Sequence, residues 1–564
     1  LSHAAHRHVF AYDAAGRQTL TQVWSSPGVG NQLLHQTQRA YDLRGRLIEA
    51  ATPHGVLAYA YDETDNLTAV SSSNANGVEL SYTYDALNHL ATVRDHGAQE
   101  PPLEHSYTYN AVGSLASVTY ANGITPTYTY NSVNRLTDLH IQNSSFSILN
   151  SYAYTLSDAG HRTRQTETSG RIVDYTYDDL YRLTSETITN DPYAINGASN
   201  WTYDLVGNRL SQASTLSGIT GQNETYSAND WLDSHSYDPN GNTVSSAIRH
   251  SPSAIAPEPQ TANDVYDFMN RLIRRTTATS DVIDITYSAD GDRIAKTVNG
   301  LAVYYLVDRN NLTGYAQVVE ELRLDHTGTL TTVRTYTYGH DLIAQHQLLP
   351  PSDLEAYLAG QGGASPVWHT HYYLYDGLGS VRGLADASGL VTDAYFYDAW
   401  GNLLHAAGQG TPNLYLFTGE QWDNDLGMYF LRARYLNPET GRFHTLDPFE
   451  GFMSDPQSLH KYLYAHANPV MFIDPSGNWS IPQVMLGVSV VSTISSVAVP
   501  NIARVIYGMP PSLSYIYAFI DGVIPVINPF ADSRRYDPND ADYRFSQWMG
   551  TIAISTAFMS ANGF

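Results

Sequence analysis

The chain has no cysteine in its 564 residues, which excludes a disulfide framework and any thiolate metal site. Cationic side chains are also scarce: 30 Lys and Arg stand against 55 Asp and Glu, a formal charge of −25. Binding a polyanion requires a local excess of Lys and Arg, so the main body is not a nucleic-acid surface. There is no Gly-rich phosphate loop, zinc-protease helix or nucleophile elbow, hence no ordinary enzyme signature and no expected cofactor. Residues Leu1 to His8 carry no charged-then-apolar leader, and a repeat is already running by Tyr12. That is expected of a chain that begins inside a longer protein.

Tyrosine is the abundant residue. With 43 Tyr against 15 Phe and 8 Trp, the chain favours a strand-forming aromatic that buries its ring while its hydroxyl finds a partner. Thirteen copies of a Tyr-Asp-x-x-Gly-Arg-Leu motif, with substitutions, account for much of this, beginning at Tyr12, Tyr41, Tyr61, Tyr84, Tyr109, Tyr130, Tyr177, Tyr203, Tyr237, Tyr266, Tyr287, Tyr375 and Tyr397. The first six start 20 to 29 residues apart, the length of two strands and two turns. Upstream of each turn the residues alternate, as in Ser106-Tyr107-Thr108-Tyr109, so each unit predicts a β-hairpin with Tyr on one face. Asp at the first turn position and Gly or Asn three residues on predict a type I turn closed by a left-handed residue. The Arg after Gly is expected to pair with a neighbouring turn's Asp. These tyrosines and aspartates read as structural.

Residues 249–263 carry three prolines and read as an exposed loop. Residues 346–367 read as a second excursion, with a short helix at Ser352 to Leu358, and the stretch between the two as hairpins without the Tyr-Asp heading. Beyond Gly477 the composition changes. No charged residue lies between Asp474 and Arg504, and the apolar run 481–503 is long enough to be weighed as a membrane span, although its Ser, Thr and Pro content favours a sequestered helix. His3, His6 and His8, and His369 with His371 on one strand face, are the histidine groups to weigh as metal ligands; solvated or structural histidines explain both equally, and no metal is expected.

The stretch Leu414 to Gly477 breaks the repeat. It contains GMYFLRARYLNPETGRFHTLDPFEG and, after a spacer, YLYAHANPVMFIDPSG. Asn437-Pro438, Asp447-Pro448 and Asp474-Pro475 are each followed shortly by Gly441, Gly451 and Gly477, a pattern that makes tight turns. Asp447 and Asp474 can be two turn caps and nothing more. If the sheet brings them together, two carboxylates sharing a site cannot both ionise easily, and the pair can activate water. Arg434 is the cation best placed to decide which of them gives up its proton.

The repeats together with this terminal stretch resemble the RHS/YD-repeat family and its RHS-associated core, over about residues 9–477. The resemblance implies an all-β fold: a YD-repeat hairpin strip spiralling into a large hollow, barrel-like shell, with a short, partly helical C-terminal tail. It implies a strip over 1–413, a core closing the shell over 414–477, and a variable apolar segment over 478–564 inside or threading out. Among family members are C components of Tc toxin complexes, Rhs effectors and teneurins. In many bacterial members the core cuts its own chain just after the final Asp-Pro-x-Gly-Leu, using aspartates matching Asp447 and Asp474 and an arginine matching Arg434. Here Asn478 follows Gly477 where Leu is usual, and a pocket shaped for Leu would leave the Asn amide desolvated and unpaired. The implied function is a secreted or cell-surface bacterial toxin shell that sequesters its C-terminal segment as cargo, with delivery partners or N-terminal modules outside this chain. The alternative is an uncleaved, teneurin-like adhesion scaffold. A carbohydrate-processing all-β enzyme is the third reading, and it lacks a placed carboxylate pair outside the core.

Overall fold

The computed structural model describes residues 7–25, 31–97, 102–248, 260–361, 366–451, 456–478 and 480–482. His3, His6, the apolar run beyond residue 482 and the rest of the C-terminal segment lie outside the described residues.

Each motif makes the same turn. At Tyr12-Asp13 the Asp13 N–H donates to the Arg17 carbonyl (2.9 Å) and the Gly16 N–H returns to the Asp13 carbonyl (3.0 Å). The Asp13 carboxylate accepts the Ala15 and Arg17 N–H groups, each at 2.9 Å, the capping that favours Asp here. The closing residue is left-handed whether or not it is Gly: Gly16 has φ 77°, Asp65 70°, Asn88 63° and Tyr181 60°. Pairing register slips at the motif Tyr in hairpin after hairpin, a bulge that sharpens strand twist.

The motif Tyr fastens each hairpin to the one before. Tyr61 donates its hydroxyl to the Leu47 carbonyl at 2.7 Å, Tyr84 to Leu67 at 2.7 Å, Tyr109 to Leu90 at 2.8 Å and Tyr203 to Leu183 at 2.7 Å. In these four the acceptor is the motif Leu of the preceding copy; elsewhere it is another residue of the preceding hairpin, as when Tyr41 reaches the Gln18 carbonyl, Tyr177 that of Arg162 and Tyr266 that of Thr243. The motif Arg differs from expectation. Arg46 does reach Asp65 of the next turn at 2.8 Å, but the recurring partner is the Asp of its own turn: Arg17–Asp13 and Arg46–Asp42 at 2.6 Å, Arg182–Asp178 and Arg271–Asp267 at 2.7 Å. The turn folds back within four residues and sets Arg over its own Asp, and the guanidinium then lies on the next motif Tyr, as Arg46 does on Tyr61 at 4.8 Å.

Among the described residues, nineteen strands from Arg7–Tyr12 to Gln222–Asn223 form one antiparallel meander, and fourteen from Ser236–Tyr237 to Leu403–Gly408 form a second. The sheets stay open and neither closes into a barrel. Both predicted excursions are shorter than expected. The strand Gln260–Tyr266 resumes inside 249–263. The strand Leu342–Leu349 and its partner Val367–Tyr375 pair through Leu349–Val367, and the described residues 350–361 between them hold one helix, Pro351–Leu358. Apolar and β-branched residues flanking the prolines find ladder partners there, which overrides the local loop signal.

The second sheet lies over the first. Tyr59 donates to Asp308 at 2.8 Å, Asn74 to Glu320 at 2.6 Å, and the Ala399 N–H to Glu186 at 2.9 Å, while His346 and Asp95 are 2.9 Å apart. Partners advance together along both sheets, as they do when a strip is wound over itself. The space between is filled by buried Leu57, Val70, Leu80, Val93, Leu306, Leu322, Tyr336 and Leu384, one contiguous apolar layer of the kind that dominates folding free energy. Turn tips such as Leu43, Leu87 and Leu205 of the first sheet and Met269 of the second are exposed, whereas Leu378 and Trp400 of the second sheet are buried.

Candidate active site

After Gly408 the chain makes a small four-stranded sheet: Gln421–Asp423, Met428–Leu431, Arg434–Asn437 and Arg442–Phe443. Buried charges lock it to the strip. Arg293 holds Asp423 at 2.8 Å and Gln421 at 2.5 Å, and Lys296 reaches Asp423 at 2.8 Å. Arg275 grips Asp264 through two nitrogens at 2.8 and 2.6 Å, and the second Asp264 oxygen is 2.7 Å from His444. Bidentate, charge-assisted geometry of this kind gives orientation as well as energy. His444 stands three residues before Asp447, so the lock fixes the segment that delivers it.

Asp447, Asp474 and Arg434 come together, all buried. One guanidinium nitrogen of Arg434 is 2.6 Å from Asp447 and 3.7 Å from Asp474. Its Nε donates to the Gly477 carbonyl, its other terminal nitrogen to the Lys461 carbonyl at 3.1 Å, and its plane lies 3.6 Å from the Phe443 ring centroid. The Asp447 N–H also donates to Lys461 (2.8 Å). Burial pushes the Asp447 carboxyl up to about 6 against the pull of Arg434, and the same burial lowers the Arg434 guanidinium from its ordinary value. Asp474 accepts the Asn478 N–H at 3.2 Å and the Ser476 hydroxyl at 3.1 Å.

Gly441, Gly451 and Gly477 are all left-handed, at φ 66°, 86° and 69°. At Gly477 the requirement is doubled, because a Cβ would stand 2.2 Å from the Leu431 carbonyl oxygen. The Asn478 side-chain oxygen is buried and accepts no hydrogen bond, the state expected of Asn in a pocket suited to Leu.

Sequence reasoning missed Arg432 and Glu420, which sit beside this group and reach the same turn. The Arg-x-Arg spacing at 432 and 434 was the available signal. Of the histidines, His371 is buried and His369 exposed on the strand Val367–Tyr375, and His8 lies on Arg7–Tyr12. Among the described residues no group of three or more His, Asp or Glu is arranged to hold a metal ion, and no helix is long and apolar enough to cross a membrane.

A hairpin strip wound over itself, ending in a small sheet that gathers two aspartates on one arginine, defines the class: a YD-repeat β-shell protein. In its repeat and in its fold the chain is similar to the RHS/YD-repeat family. The RHS Repeat model matches residues 41–74. The TcdB2-TccC3-Cdc42 crystal structure superposes with a TM-score of 0.62 over 87 % of this chain and 28 % of that one, at 17 % identity. The tRNA3(Ser)-specific nuclease WapA of Bacillus spizizenii is 33 % identical over 251 residues, 44 % of this chain and 9 % of WapA. The double-stranded DNA deaminase toxin A of Burkholderia cenocepacia is 30 % identical over 233 residues, 39 % of this chain and 15 % of that protein. The chain therefore matches under a sixth of the length of these two relatives.

Proposed function

We propose that this chain forms a toxin-related RHS shell that holds its own C-terminal segment, 478–564, as cargo until delivery, and that Arg434, Asp447 and Asp474 form a device for cutting the chain after Asn478. Strip over 1–413, core over 414–477 and cargo beyond are the working parts of this reading. The observation that carries it is the convergence of both carboxylates and the Gly477 carbonyl on the single side chain of Arg434. A β-sheet wall that screens it from solvent suits an apolar, aggregation-prone segment such as 481–503. A secreted or cell-surface bacterial setting suits this reading, with delivery components supplied by other chains or modules.

The cutting step is hydrolysis. A water oxygen bonds to the carbonyl carbon of residue 478 and the following C–N bond breaks. The water's proton passes to the ionised carboxylate of the pair, and the protonated carboxyl gives one to the departing amine. Burial favours a proton on the pair, as at Asp447, and Arg434, 2.6 Å from Asp447 and 3.7 Å from Asp474, stabilises the charge on whichever member is ionised.

Asn478 acts as a brake, since its buried side-chain oxygen finds no donor and the site is disfavoured by that desolvation. The same observation favours the second reading, an uncleaved adhesion scaffold of teneurin type. Denaturing electrophoresis with intact mass separates them. Asn478→Leu is expected to yield two fragments parted after residue 478, and Asp474→Asn in that background a single chain. A single chain for Asn478→Leu overturns self-cleavage and leaves the scaffold. Expression of 478–564 alone in several bacterial hosts tests the cargo, which absence of any growth defect would count against.

A further inference from the structure

The segment 431–434 wraps the Asp474–Gly477 turn residue by residue. The Leu431 carbonyl closes against Gly477, Arg432 donates to the Pro475 carbonyl, the Ala433 N–H donates to the Ser476 carbonyl at 3.2 Å, and Arg434 takes the Gly477 carbonyl. Of these only Arg434 belongs to the cutting group proposed above.

Arg432 is unusual in two ways. Its backbone is left-handed, φ 56°, a conformation that costs a non-glycine residue of order 1 kcal/mol or more and persists where the surroundings enforce it. All three of its nitrogens are engaged: Nε donates to the Ala316 carbonyl (2.9 Å), one terminal nitrogen to both Glu420 oxygens (3.0 and 2.8 Å) and to Pro475, and the other to Gln317 (3.1 Å). It therefore ties the strip, at the start of the strand Gln317–Leu324, to the residue directly after Asp474. Asp474, for its part, stands 3.7 Å from Arg434, beyond a direct hydrogen bond, so a small drift of the turn would part it from the pair.

We infer that Arg432, braced by Glu420, is the positioning residue that holds Asp474 in register with Arg434 and Asp447. This rests on the self-cleavage reading. Arg432 touches neither reacting carboxylate; it acts through the Pro475 carbonyl. Lys cannot replace it fully, because an ammonium cannot serve Ala316, Glu420, Gln317 and Pro475 in one fork.

The test measures the first-order cleavage rate against pH in the full chain carrying Asn478→Leu, together with its thermal melt. Arg432→Met is expected to slow cleavage about 100-fold, as roughly 1 Å of misplacement does, and to shift the pH at which the rate is half-maximal, because the carboxylates no longer share Arg434 in the same way. Arg432→Lys should recover part of the rate. Glu420→Gln, which keeps an acceptor and removes the charge, should fall between. Unchanged rates in all three variants would overturn the role. So would rates that fall only in step with the folded fraction while the pH profile stays fixed, the mark of a purely structural residue. If the chain carrying Asn478→Leu alone does not cut, the self-cleavage reading fails and this role with it; if it cuts and the Arg432 variants cut equally well, only this role fails.

Discussion

Trp400, at the tip of a hairpin turn of the second sheet, meets Trp201 of the first sheet edge-on, with ring centroids 6.2 Å apart and planes at 64°. Arg209 lies over the Trp400 ring at 5.3 Å. The contact closes the strip on itself close to the terminal core. Trp400→Ala is expected to destabilise by about 3–5 kcal/mol, the range for emptying a buried aromatic site. The Trp400 ring nitrogen is buried without a partner, so Trp400→Phe should cost far less. Thermal melts and limited proteolysis of the two variants check the difference.

The tyrosine fastening predicts a uniform, modest effect at each hairpin. Tyr203→Phe removes only the hydroxyl that meets the Leu183 carbonyl and should cost about 0.5–1.5 kcal/mol. Hydrogen exchange is the right measurement, since the loss should be confined to the strands Leu183–Thr189 and Gly197–Tyr203.

Glu186 and Asp398 face each other in a buried polar cavity between the windings, with Arg171, Arg382, Asp376 and Arg162 around them. Burial first, then the mutual repulsion, pushes Glu186 up to about 8, and burial pushes Asp398 up to about 6. Their ordinary values are 4.5 and 3.8, so the folded chain holds protons that the unfolded chain has released. Stability from this pair is complete below about pH 4 and declines from there as pH rises to about 8, where Glu186 too has lost its proton. Melting temperature should therefore fall over that window, by an amount of order a few kcal/mol in free energy, and Glu186→Gln should flatten the fall.

Asp264 has the opposite sign. Burial opposes its charge, but Arg275 and His444 outweigh burial and hold it down to about 2. Its contribution is present above its ordinary 3.8 and is lost as pH drops through 2. Asp264→Asn leaves Arg275 buried without its counter-charge and should cost about 3–5 kcal/mol at neutral pH. Denaturant unfolding at pH 7, repeated near pH 2, should show the penalty and then its disappearance.

Much of this architecture was legible. The alternating Tyr and Thr, the capping Asp and the left-handed third position of each turn are local properties, and the hairpins formed where they stood. The Arg partner was misassigned because side-chain reach depends on how tightly the turn folds back. The loop over 249–263 was overextended because ladder pairing can enlist residues that look like loop in isolation. At the site, the Asp-Pro-Gly punctuation located Asp447 and Asp474 as turn residues, and the neighbourhood of Arg434 followed from its proximity in the chain. Arg432 and Glu420 went unseen because their meaning lies in the Pro475 carbonyl and in Ala316 and Gln317, far away in sequence.

By itself, then, the sequence determined an all-β strip of Tyr-headed hairpins with a distinct end, since turn chemistry and strand alternation act over four to seven neighbouring residues. The tertiary structure alone decided that Asp447 and Asp474 share one buried guanidinium, that Arg275 and Arg293 of the strip anchor the sheet carrying it, and that Asn478 lies with its amide oxygen unpaired. Those facts depend on how a wound strip brings distant strands into register, and burial there raises the proton affinity of an ordinary turn aspartate, Asp447.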